Sequence, residues 1–408
     1  MSAETVKPVG ELPVPSDLRM ARVLGPVLLA SAVSLLPFTV FSTFLVPISA
    51  DAGTSVAAMG GLRGLGGLAA LGVGAAVAPL LDRVPKQYTA GGGLVLLGLS
   101  AVVGAAGQFL ALAAFCLLVG AATSVLNPAL AADAADRFGS GAAAGRAATL
   151  VTATQSLTAM LAAPLVALPA LLWGWRGNLV AVAVISLALA VVFFRRRPTP
   201  VAETDAAPRL GYLASFRALA GVPGAVPLLL VALLRTAAFM GYLSYLAAFY
   251  DSRFELDPEL FALVWTLSGA SFFVGNLLAG RYTSAERPWI RPERMLTVSL
   301  LVALGSVAAF YFATNLVWAL VLTALLGAAH ATVAACVVTL LVRRCGPLRG
   351  SALGVNAAGM SLGTFTGAAV GGIGLGVAGY PGTAVAFGAI TLLALVAALF
   401  VRTESSVA

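Results

Sequence analysis

Apolar runs long enough to cross a bilayer recur along the whole chain. They fall at 23–46, 56–81, 89–106, 109–131, 147–172 and 178–194, and then at 226–249, 260–279, 295–313, 316–341, 352–377 and 382–401. About 20 helical residues, each rising ~1.5 Å, span a hydrocarbon core ~30 Å thick. Hydrophobic types make up 60% of the 408 residues and charged types 10%, against roughly 25% charged in an ordinary soluble domain. A soluble exterior cannot be built from so few polar groups, so lipid must solvate most of the chain. Barrel strands would alternate polar and apolar residues over ~10 positions. These runs are continuous, and in lipid such a segment satisfies its backbone only as a helix. The expected fold class is an all-α membrane protein with twelve transmembrane helices.

Charge sets the expected orientation. With the N-terminus inside, 20 of the 24 Lys and Arg residues fall on inner segments, as cytoplasmic loops require. The other four are Arg63, Arg176, Arg235 and Arg253. Both termini are then cytoplasmic. The net charge of +8 is an orientation signal, and no nucleic-acid partner is called for. Residues 1–22 are polar and the first apolar run is too long for a cleavable signal core. Cys116, Cys336 and Cys345 show no metal-ligand spacing, His330 is the single histidine, and no phosphate-binding glycine–lysine motif occurs. Neither a metal nor a cofactor is expected, ATP is not the expected energy source, and a membrane enzyme is disfavoured.

The chain divides near its middle. A polar stretch, 195–224, opens with Arg195-Arg196-Arg197-Pro198 and separates two sets of six spans. Its part at 211–219 either lies as an amphipathic helix on the inner leaflet or is simply solvated linker. The halves echo each other: Gln155-Ser156-Leu157 and Met360-Ser361-Leu362 stand 205 residues apart, each after a basic residue followed by small ones. The expected organisation is a tail at 1–22, a six-helix bundle at 23–194, a linker at 195–224, a second bundle at 225–401 and a tail at 402–408, with pseudo-two-fold symmetry. Such repeats can rock about a shared central site. Small residues spaced by four, such as Gly363, Gly367 and Gly371, let helices approach closely.

Between the second and third spans, Ala78-Pro79-Leu80-Leu81-Asp82-Arg83-Val84-Pro85-Lys86 resembles the Gly-x-x-x-Asp-Arg-x-Gly-Arg-Arg signature of the major facilitator superfamily. Gly275-Asn276-Leu277-Leu278-Ala279-Gly280-Arg281 resembles a degraded second copy, and Trp175-Arg176 after Gly174 also looks like this family. The chain is most similar to its twelve-span bacterial drug and sugar exporters. The resemblance implies a monomer in the bacterial inner membrane that moves a small molecule. It also implies a cytoplasmic latch at Asp82 and Arg83, with Lys86, Asp133, Asp136 and Arg137 as further members. In the family the first, fourth, seventh and tenth spans line the cavity.

Embedded ionisable groups normally face such a cavity. Arg235 lies ~14 Å into the seventh span and His330 ~21 Å into the tenth. Arg235 either contacts substrate or bonds to backbone carbonyls, and His330 either lines the cavity or hydrogen-bonds a neighbour. Asn127, Thr39, Ser42 and Thr43 add polar groups on the fourth and first spans. Arg63 either closes an outer gate with Asp51 or snorkels. No Asp or Glu falls inside a span. A coupling proton is therefore carried by His330 or by an edge carboxylate such as Asp51, or transport does without protons. The expectation is a secondary transporter working by alternating access, exporting small apolar or amphiphilic compounds. The alternative is an importer of an organic anion or sugar anchored by Arg235.

Overall fold

A computed structural model of the chain describes residues 17–81, 84–138, 142–196, 212–283 and 290–401, and every regular element among them is a helix. A short α1 (Asp17–Val23) precedes α2 (Gly25–Val33), α3 (Leu36–Thr43) and α4 (Leu45–Asp51), which together form the first span. Then come α5 (Val56–Leu81), α6 (Lys86–Ala105), α7 (Phe109–Asp136) and α8 (Ala142–Arg195). After α9 (Tyr212–Ala220) follow α10 (Ala225–Phe254), α11 (Pro258–Thr283), α12 (Pro292–Phe310), α13 (Leu316–Cys345) and α14 (Arg349–Leu399).

Among the described residues, ten helical stretches are long and apolar enough to cross a membrane. Two of them lie in helices too long to cross once. The 54 residues of α8 and 51 of α14 would each run roughly 80 Å if straight. Both fold back. In α8 the turn is Gly174, at φ 67° and ψ −177°, a backbone region essentially closed to side chains with a Cβ. In α14 it is Ala378–Gly379, where Gly379 has φ 62°. Each long helix therefore supplies two crossings, and the ten stretches make twelve.

The first span is broken where its prolines dictate. A proline ring collides with the carbonyl four residues back and offers no N–H to it. Pro37 and Pro47 point to Val33 and Thr43, where α2 and α3 end. The sequence reading expects a continuous run there, because proline counts as apolar in a hydropathy pattern while acting on the backbone.

The packing repeats between the halves. The contacts α2–α8, α5–α7, α6–α7 and α6–α8 recur as α10–α14, α11–α13, α12–α13 and α12–α14. The two bundles join through a matching pair, α5–α14 and α8–α11, as a pseudo-two-fold axis requires. Within the bundles, glycines let backbones touch: a Cβ on Gly120 would land on the Gly66 carbonyl, one on Gly275 on the Ala328 carbonyl, and one on Gly367 on the Ala237 carbonyl. Large apolar side chains point outward instead, as lipid permits; Leu172 is 85% exposed.

Gly367→Val forces α14 away from α10 and is expected to cost about 1–3 kcal/mol of stability, in line with core overpacking. Gly305→Val, where the space is open, is expected to stay within about 0.5 kcal/mol. Thermal unfolding of the detergent-solubilised protein separates the two.

Candidate functional site

The membrane faces differ in charge. Helices α8 and α13 end in Arg195 and in Arg343–Arg344 on one side, here called the basic face. The Gly174 and Gly379 turns lie on the opposite, distal face.

The bundles meet over the distal half. Helix α5 presents Gly60, Gly64 and Gly67 to the opposite bundle, where added Cβ atoms would strike Tyr245, the Phe365 carbonyl and the Ser361 carbonyl. On the other side of the seam, a Cβ on Gly269 would come within 2.9 Å of Met160 Cα. Tyr245 of α10 is buried across the junction. Its hydroxyl donates to the Ala368 carbonyl of α14 at 2.7 Å and lies 3.4 Å from the Ala57 carbonyl of α5. Gly67 stands near the middle of α5, so these contacts run from the distal rim to mid-depth. By contrast, α7 packs on α2, α3, α5, α6 and α8, and α13 on α10, α11, α12 and α14: partners of their own bundles.

A wall of rings backs the seam on the α10 side. Phe249 packs on Phe310, Tyr311 and Tyr380, with centroids 4.5, 5.3 and 5.1 Å away. Tyr242 and Tyr250 each share a 2.9 Å hydrogen bond with the Thr323 hydroxyl. Between α3–α4 and α10–α11 remains a cavity of about 80 Å³ lined by Thr43, Pro47, Asp251 and Phe261 among others.

Each of the ion pairs described at the basic face lies within one bundle. Asp133, 1% exposed, binds Arg137 at 3.0 and 3.2 Å and lies 3.8 Å from Arg196. Gln87 Nε2 donates to the Arg196 carbonyl at 3.1 Å, tying α6 to the end of α8. Burial, then Arg137, pull the Arg196 guanidinium below its usual range, and Asp133 opposes them. In the other bundle Arg344 binds Glu293 at 2.8 Å. Asp136 is exposed, Lys86 opens α6 half-buried, and Asp82 and Arg83 lie outside the described residues.

The embedded residues sort themselves by partner. Arg235 and His330 do come together, but inside one bundle and almost fully buried (3% and 2% exposed). Arg235 donates to the His330 carbonyl (3.5 Å) and the Thr236 hydroxyl (2.9 Å). The His330 ring stacks on Phe239 at 4.8 Å, and its Nδ1 has no partner. Asn127 is half-buried with its carbonyl oxygen unpaired, Ser42 and Thr43 are buried with unpaired hydroxyls, and Thr39 bonds back to the Leu35 carbonyl at 2.9 Å.

Arg63 and Asp51 do not pair. Asp51 binds Arg176 at 3.1 Å and Trp175 Nε1 at 3.0 Å, so the Trp-Arg pair clamps the distal end of the first span. Arg63 instead sits over Phe38, 5.9 Å from the ring centroid. Tyr245 and Asp251 escaped the sequence reading. A tyrosine inside an apolar run has no mark that separates a gate from lipid contact, and Asp251 reads as loop charge.

The sequence profile of the Major Facilitator Superfamily matches residues 27–347 and 290–407. The chain belongs to that superfamily. As such it is a small-molecule transporter embedded in a membrane, not an enzyme. A search of curated protein sequences finds no match. Solved structures of the same fold include a bacterial homologue of the human lysosomal transporter Spinster in an inward-facing, unoccupied conformation, 16% identical, with TM-score 0.77 over 95% of this chain and 97% of that one. The nucleoside transporter NupG is 14% identical, with TM-score 0.74 over 95% and 100%. The human organic anion transporter MFSD10 is 19% identical, with TM-score 0.62 over 93% and 99%.

For this superfamily member the Tyr245 ring, seated on Gly60 of α5, is a direct contact across the seam. Tyr245→Ala removes that contact and is expected to raise distal opening at least about fivefold, since loss of a buried ring costs more than about 1 kcal/mol. The three native cysteines are buried, so a cysteine placed at Ala57 reports the change as a faster reaction with an impermeant maleimide.

Proposed function

We propose that the chain is a secondary transporter that exports small apolar or amphiphilic compounds by alternating access. The basic face is read as cytoplasmic on the positive-inside rule, and the membrane as the bacterial inner membrane. The observation that carries the reading is the distal seam: α5–α14, α8–α11 and the Tyr245 ring join the bundles from the distal rim to mid-depth. We read that arrangement as the cytoplasm-facing state of alternating access, in which a compound leaving the cell would be collected. Segments 23–194 and 225–401 are taken as the rocking units and 195–224 as their tether.

Apolar and aromatic groups dominate the interior, which suits greasy cargo. An imported anion held by Arg235 is a weaker reading, because that guanidinium already bonds within its own bundle and is shielded.

We further propose proton antiport as the energy source, with the proton on Asp251. Protonating His330 would place a second cation beside Arg235 in an apolar core, which is costly. Asp51 is held by Arg176. Asp251 lines the seam cavity, with Asp257 and Tyr380 as its charged or titratable neighbours, and its surroundings change whenever the seam opens.

Expression in a susceptible host is expected to raise tolerance to a panel of lipophilic antibiotics. In proteoliposomes, an imposed pH gradient is expected to drive transport of the compounds so identified. Asp251→Asn should abolish that drive while sparing exchange between internal and external substrate, and His330→Ala should retain it. Unchanged tolerance together with uptake from outside would reverse the assigned direction.

A further inference from the structure

Arg63 stands seven residues from the distal end of α5, about 10 Å below that face. Gly60 and Gly67, three before it and four after, face the opposite bundle, at Tyr245 of α10 and Ser361 of α14, while Gly66 packs on the Phe38 ring of α3 and on α7, where its Cβ would come within 3.1 Å of the Cys116 carbonyl. On a helix these spacings place Arg63 on the strip between the two contacts. Leu68, on the far side, is 43% exposed and marks the lipid-facing surface. The strip that holds Arg63 therefore faces Phe38 of α3 beside the seam.

The guanidinium there is unneutralised. Its Nη1 is shielded and has no hydrogen-bond partner, yet the residue as a whole is only partly buried. Among the described residues no carboxylate pairs with it; Asp51, Asp133 and Glu293 are each bound to other arginines. Arg235 differs in being bonded through both terminal nitrogens. An isolated cation in an apolar interior is costly, and an oxyanion with matching lone pairs relieves that cost through charge-assisted hydrogen bonds. An aromatic ring at 5.9 Å supplies an apolar wall beside it.

We propose that Arg63 anchors the singly charged oxyanion head, carboxylate or sulfonate, of an amphiphilic substrate whose apolar body lies against Phe38. The proposal rests on the exporter reading and narrows its substrate class. It is tested by isothermal titration of the full-length protein in detergent with naphthalene-2-sulfonate and its neutral isostere naphthalene-2-sulfonamide. The sulfonate is expected to bind at least tenfold more tightly. Arg63→Met should remove that preference, and Arg63→Lys, checked for monodisperse elution, should keep part of it. Equal binding of the two probes, no binding of either, or a preference that survives in Arg63→Met would overturn the anchor. The antibiotic-tolerance assay on the unmodified chain reports separately: its failure sinks the exporter reading, whereas loss of the sulfonate preference alone sinks only the anchor.

Discussion

Backbone meeting backbone is the contact on which this architecture depends. Lipid is as apolar as the side chains it touches, so burying leucine against leucine gains little inside a membrane, and close packing must hold helices together. The chain achieves it with glycine: Gly66 on Gly120 and Gly367 on Ala237 within the bundles, Gly64 and Gly67 on α14 between them. The same contact thus serves two purposes. Inside a bundle it is supported by neighbouring helices on several sides. At the seam it stands between two bodies joined mainly by matching pairs, and there it can part without unfolding either half.

Much of this was legible in the amino-acid order, for a physical reason. Hydrocarbon imposes a length and forbids open backbone, so span number and type follow from hydropathy alone; α5 begins and ends at Val56 and Leu81, the limits of its apolar run. Resolution fails where a residue acts through its backbone or its bearing. Pro37 and Pro47 look apolar yet sever the first span. Tyr245 is one aromatic among many in α10, and only the fold shows its hydroxyl reaching two other helices. The nearness of Arg235 to His330 needed the α10–α13 packing, since 95 residues separate them.

Charge in the interior follows a different logic from charge at the edges. At the basic face each buried acid has an arginine, as with Asp133 and Arg137 or Glu293 and Arg344, and a shielded pair of that kind tolerates burial when its hydrogen bonds are made. Mid-membrane, the two arginines have no such acid among the described residues. Arg235 solves the problem with neutral acceptors: a carbonyl and a hydroxyl disperse its charge, and the Phe239–His330 stack closes over the same region. Two embedded arginines that look equivalent in a hydropathy plot are therefore chemically distinct. One is hydrogen-bonded within its bundle, and the other has a shielded nitrogen without a partner.

The broken first span fits the same division of labour. An unbroken helix transmits a displacement along its whole length, whereas α2, α3 and α4 can each hold their own packing. The α2 segment is tied to α8 through the Ser31 hydroxyl and the Val151 carbonyl at 3.3 Å, and the Asp51 end of α4 is clamped by Trp175 and Arg176. Between those fixed ends lie Phe38, beside the unsaturated guanidinium, and Thr43, on the seam cavity. Proline breaks on either side of α3 leave the piece that touches both places hinged to its neighbours, and small changes of dihedral angle at such points are how rigid bodies turn about a fixed centre.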